Sequence, residues 1–141
     1  MGEIVLDNQT LLHIKLFEQL TRTTIKDCVE TSDRMIFVVK KGQISKAVGP
    51  KGENVSKLRK KINKTIQIVE YSDDPIEFVK SVFHPYEPEG VELEQRGNLL
   101  HATVTVNPLL KAKAIGREGR NLKIARDMIN RHHDIQSVSV A

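Results

Sequence analysis

Apolar and polar positions along the chain change period several times, and the changes mark out elements. From Gln9 to Leu20 the run QTLLHIKLFEQL keeps its apolar residues in helical phase, with Asp7 or Asn8 in front as N-cap. Two β-rich runs follow, IKDCVET (25–31) and RMIFVVK (34–40), joined by the turn formers Ser32 and Asp33. A short helix over 43–48, a glycine loop from Gly49 to Gly52, a longer helix over 52–63 and a strand TIQIVE (65–70) come next. The pattern then starts again. Asp74 is the N-cap and Pro75 takes the first helical position of IEFVKSVF, which stops before Pro85. GVELEQ and LLHATVTV read as strands with Gly97–Asn98 at the turn. A short helix over 108–115, a loop Gly116–Gly119, a helix over 119–132 and a strand IQSVSV (135–140) complete the second round. The order is α-β-β-α-α-β, twice.

The repetition is also written in the residues. Shifted by 67 positions, MIFVVKKGQISKAVGPKGENVSKLRKKIN (35–63) lies on ATVTVNPLLKAKAIGREGRNLKIARDMIN (102–130) without a gap. Gly49/Gly116, Gly52/Gly119, Asn54/Asn121, Ile62/Ile129 and Asn63/Asn130 coincide, and the apolar phase is kept. The polar segment EYSDDP (70–75) is the expected boundary, giving one domain over 1–72 and a second over 73–141.

Charge sharpens this picture more than composition does. The 141 residues are 39% hydrophobic, and 22 Lys and Arg against 18 Asp and Glu give a net +4. Between residues 40 and 64 nine basic residues face one acid, a local +8; between 70 and 94 eight acids face one lysine, a local −7. Between 111 and 131 seven basic residues and two acids give +5. Two basic segments around an acidic one point to a polyanion held at two places. The single cysteine, Cys28, excludes an internal disulfide and argues against a cysteine zinc site. No apolar run reaches membrane-spanning length, and MGEIVLDNQT lacks the basic start and apolar middle of a signal peptide, so a cytoplasmic protein without a membrane partner is expected.

The chemistry sits in the two glycine loops. A helix start leaves backbone N–H groups without partners, and glycine lets a phosphate approach that backbone. Lys51 and Arg117 add positive charge at the tips. Neither the Walker pattern nor G-x-G-x-x-G occurs, so a bound mononucleotide is not indicated and no cofactor is expected. After the loops, Val55, Leu58 and Ile62 form one helical face and Lys57, Lys60 and Lys64 the other; Leu122, Ala125 and Ile129 repeat the apolar stripe. His13, His84, His101, His132 and His133 do not complete any metal-ligand spacing, and no nucleophile–base arrangement stands out, so neither a metal nor an enzymatic activity is expected. Aromatic residues are 4% of the chain with no tryptophan, which speaks against base stacking as the main mode of binding.

Two G-x-x-G loops, each between helices and preceded by a helix and strands, resemble KH domains of type II, which bind single-stranded RNA. The tandem arrangement resembles the KH pair of the NusA transcription termination/antitermination family, most closely its short archaeal members. The resemblance implies an α+β fold of two tandem type II KH domains, each with helices on a three-stranded mixed sheet. It implies RNA-backbone clamps at Gly49, Pro50, Lys51 and Gly52 and at Gly116, Arg117, Glu118 and Gly119, flanked by Lys46, Asn54, Lys57, Lys113, Arg120, Asn121 and Lys123. It also implies a role in transcription termination and antitermination, with RNA polymerase or the elongation complex as a further partner. Two departures stand out: Pro50 removes a loop N–H, and Glu118 puts an acid beside the expected phosphate path. The first unit is therefore expected to contribute more electrostatic affinity than the second. KH pairs also serve ribosome assembly and RNA decay, and a protein-interaction module with weak RNA binding is a third reading.

Overall fold

The computed structural model describes residues 8–141; the N-cap candidate Asp7 lies outside them. The chain divides into two compact units, the first ending at Ser72 and the second spanning Asp73–Ala141.

In the first unit α1 (Asn8–Thr21) leads into the hairpin β1 (Ile25–Glu30) and β2 (Arg34–Val39). Helices α2 (Ile44–Val48) and α3 (Glu53–Ile62) follow, and β3 (Thr65–Glu70) closes the unit. The sheet order is β1-β2-β3, with β1 antiparallel and β3 parallel to β2, from Arg34 opposite Thr65 to Val39 opposite Glu70. A parallel neighbour needs a crossover, and the α2–α3 pair supplies it. Alternate residues of β2 face the helices: Met35, Phe37 and Val39 pack with Phe17, Cys28, Ala47, Leu58, Ile62 and Ile66 in one core. Phe17 of α1 stacks on Phe37 with ring centroids 4.3 Å apart, and Cys28 is only 4% exposed. Helix α1 ends where Thr21 Oγ1 donates back to the Phe17 carbonyl and Arg22 turns to positive φ.

The second unit repeats this with α4 (Pro75–Val82), β4 (Pro88–Arg96), β5 (Leu99–Val106), α5 (Lys111–Ile115), α6 (Arg120–His132) and β6 (Ser137–Val140). Its sheet order is β4-β5-β6, again antiparallel then parallel. Ile76 N donates to the Asp74 carboxylate (3.0 Å), the cap expected before Pro75. Both hairpins carry a register shift at the same place, between Ile25 and Asp27 and between Pro88 and Gly90, so even the bulge is copied. Helix α4 packs on β4 and α6, with Phe78 meeting the rings of His132 and His133 at 5.4 and 5.3 Å.

Several boundaries move for local reasons. The helix expected over 108–115 is two pieces: Leu109 N donates to Asn107 Oδ1 and starts a 3-10 turn over Pro108–Leu110, and α5 begins only at Lys111. The strand expected from 135 starts at Ser137, because the Ile135 carbonyl takes a bond from Asn130 Nδ2 at the end of α6. Two of the histidines are engaged by neighbouring side chains. His101 hydrogen-bonds Ser137 Oγ (2.6 Å) and Ser139 Oγ (2.9 Å) across β5 and β6, and His132 packs on Phe78. Among the described residues no three His, Cys, Asp or Glu side chains come together, and no helix is long and apolar enough to cross a membrane.

Candidate nucleic-acid interface

Each G-x-x-G segment is a fixed piece of backbone, and the two are near copies. Gly49 stands at φ 78°, ψ 168° and Gly116 at φ 78°, ψ 169°, a region essentially closed to other residues. The third loop positions, Lys51 (φ 54°, ψ 29°) and Glu118 (φ 56°, ψ 27°), are left-handed, and so are Gly52 and Gly119. Two left-handed residues in a row reverse the chain between the helices. Lys51 and Glu118 thus occupy one backbone position with opposite charges, and the counterpart of Arg117 is Pro50.

Hydrogen bonds inside the loops decide what is left for a ligand. Gly49 N donates to the Ser45 carbonyl, Gly52 N to that of Gly49 and Glu53 N to that of Pro50. Proline has no N–H, so Lys51 holds the first loop's remaining donor. The second loop makes the same bonds from Gly116, Gly119 and Arg120, and retains the N–H groups of Arg117 and Glu118. The first loop therefore offers a cation with one amide, and the second two amides with a cation, Arg117, and an acid, Glu118, side by side.

Asn54 and Asn121 hold the loops shut from behind. Asn54 Nδ2 donates to the Lys46 carbonyl (3.1 Å), and Asn121 Nδ2 to that of Lys113 (2.8 Å), each joining the last turn of one helix to the first turn of the next. A Cβ on Gly49 would come within 2.9 Å of the Asn54 amide, and one on Gly116 within 2.9 Å of Asn121. Gly52 and Gly119 have nothing within 4 Å of that position, so their outward faces are open. The pairing of Gly49 with Asn54 and Gly116 with Asn121, visible as a repeat in the sequence, is thus a steric and hydrogen-bonded pairing.

The other candidates lie at the surface around the loops. Lys46, Lys51, Lys57, Lys113, Arg117, Arg120 and Lys123 are exposed. Lys57 is paired with Glu53 one turn before it (2.9 Å), an exposed ion pair. Lys64, placed with Lys57 and Lys60 on the periodicity, leaves that face: Asn63 ends α3 at φ 61°, and Lys64 Nζ reaches Glu30 and the Thr31 carbonyl. In the second unit a groove of about 420 Å³ runs beside the loop, lined by Tyr86, Ala112, Lys113, Gly116, Arg117 and Asn121. Tyr86 was not among the expected residues; it sits 30 positions before Gly116, in a 3-10 turn (His84–Tyr86), and no local pattern ties it to the loop.

Comparison with known proteins agrees with this architecture. The KH domain family model matches residues 11–96, and the model of the NusA-like second KH domain matches residues 75–141. The probable transcription termination protein NusA of Thermoplasma acidophilum is 35% identical over 140 residues, covering 99% of this chain and 97% of its own. The protein of the same description from Methanocaldococcus jannaschii is 32% identical, covering 99% of this chain and 76% of its own. The crystal structure of APE1850 superposes with a TM-score of 0.72 at 28% identity, over 96% of this chain and 100% of that one. Two G-x-x-G helix pairs, each on a three-stranded mixed sheet, are KH domains. The chain belongs to the archaeal NusA-like family.

Proposed function

We propose that the protein binds single-stranded RNA in transcription termination and antitermination, gripping the RNA backbone at its two G-x-x-G loops. The observation that carries this is the duplicate loop: the same dihedrals, the same asparagine staple and flanking cations, twice in one NusA-like chain. Open faces at Gly52 and Gly119 let a phosphodiester approach, and the remaining loop amides with Lys46, Lys51, Lys113 and Arg117 supply donors and charge. The domains proposed are residues 1–72 and 73–141. RNA polymerase or the elongation complex is the protein partner this reading implies, and the cytoplasm its place of action.

Filter binding with single-stranded RNA oligomers at two salt concentrations tests the RNA reading. Affinity should fall with salt at a log–log slope of about −0.7 per phosphate contact. Lys51→Asp should weaken binding more than Arg117→Asp, because Lys51 is the first loop's cation while Arg117 is already offset by Glu118. The reverse ranking would sink the assignment of the stronger clamp to the first unit. Salt-insensitive or absent binding would sink the backbone grip itself. Pull-down of RNA polymerase against ribosomal subunits separates transcription from ribosome assembly.

A further inference from the structure

The groove beside the second loop has an aromatic residue, Tyr86, in its lining. Ala112 on α5 and Gly116, the residue that caps the end of that helix, are small residues that line the groove together with Tyr86. The ring has a buried aromatic neighbour, and the backbone that carries it is hydrogen-bonded on both sides. Phe83, fully buried, meets it edge-on at 6.5 Å; Tyr86 N donates to the Phe83 carbonyl (2.9 Å) and Tyr86 O accepts from Asn107 N (3.4 Å). Lys113 and Arg117, both exposed, supply charge at the same groove. At about 420 Å³ the space is of ligand-site size. It brings an aromatic residue, two small residues and two cations together, which suits one nucleotide: base against ring, phosphate toward the cations.

The corresponding segment of the first unit carries no aromatic residue. Its matching strand-end bond, from Lys40 N, falls on the Thr24 carbonyl, in a segment Thr21–Arg22–Thr23–Thr24 without an aromatic residue. We infer that Tyr86 is a base-stacking platform peculiar to the second unit, seating one nucleotide of single-stranded RNA next to the Gly116–Gly119 loop. The inference rests on the RNA-binding reading and adds to it a division of labour. The second unit, whose loop charge Glu118 cancels, holds RNA through stacking, a contribution that salt does not screen.

Tyrosine emission provides the test. The chain has two tyrosines and no tryptophan, so Tyr71→Phe leaves Tyr86 as the sole emitter in the full-length protein. Titration of that variant with a mixed-sequence 12-nucleotide RNA should quench its emission in step with binding. Tyr86→Ala should lose roughly five- to 150-fold in affinity, the range for one stacked base. That loss should be similar at both salt concentrations with the log–log slope unchanged, and Tyr86→Phe should bind nearly as the wild type does. Thermal melts of the Phe and Ala variants control for folding; should the Ala variant fail to fold, the single-tyrosine quench and Tyr86→Phe decide. If the wild type binds RNA while Tyr86 emission stays constant and Tyr86→Ala binds equally well, the platform falls and the RNA reading stands. If the wild type binds no RNA, both fall together.

Discussion

A single glycine shows how little freedom the loop has. Gly49 is needed twice over: its dihedrals lie where other residues pay about 1–3 kcal/mol, and a Cβ would strike the Asn54 amide. Gly52 needs only a left-handed φ, with open space where a Cβ would go, so the penalty there is about 1–2 kcal/mol. Gly49→Ala should therefore lower the denaturation midpoint more than Gly52→Ala, and should disturb the Asn54–Lys46 bond, visible as a shifted Asn54 side-chain amide resonance. Equal midpoints would mean that the staple does not constrain the loop. The sequence alone shows that Gly49 and Asn54 recur together at Gly116 and Asn121. It does not show why, because the contact depends on two dihedrals that any G-x-x-G could have taken differently.

For whole elements, periodicity carries as far as the helix does and no further. The wheel that set Leu58 and Ile62 inward is right, and both are buried in α3. Extending the same wheel to Lys64 fails, because the left-handed Asn63 resets the phase one residue earlier. Lys64 ties β3 to the end of β1 through Glu30 and Thr31, with 23% of its side chain exposed. Lys64→Met is expected to cost about 1 kcal/mol in urea denaturation and to leave RNA affinity within twofold. A large loss of affinity at unchanged stability would return Lys64 to the binding face. The helix over 108–115 divided for a comparable reason: Asn107 caps a turn that ends before α5 begins. Tyr86 escaped because it reaches the loop through tertiary contact, which no window of sequence contains.

For the molecule as a whole, the gapless repeat made the duplicated fold legible, down to matching bulges in β1 and β4. Duplication also makes a reciprocal exchange possible. Since Lys51 and Glu118 share one backbone geometry, Lys51→Glu with Glu118→Lys moves the stronger clamp from one unit to the other with little strain. Alone, Glu118→Lys should tighten RNA binding and steepen its salt dependence, while Lys51→Glu should do the opposite. The double variant should recover affinity near that of the parent. Electrophoretic mobility shifts across a salt series would check this, and a double variant as weak as Lys51→Glu would show that the units are not interchangeable.

The buried thiol gives the first unit a clock of its own. Cys28 is the chain's one cysteine and lies in the core with Phe37 and Leu58. A thiol reagent reaches it only when that core opens. Pulse labelling followed by intact-mass measurement would therefore count openings of one half against time, with the other half silent. Ligands that slow the count would be engaging the half that Cys28 occupies.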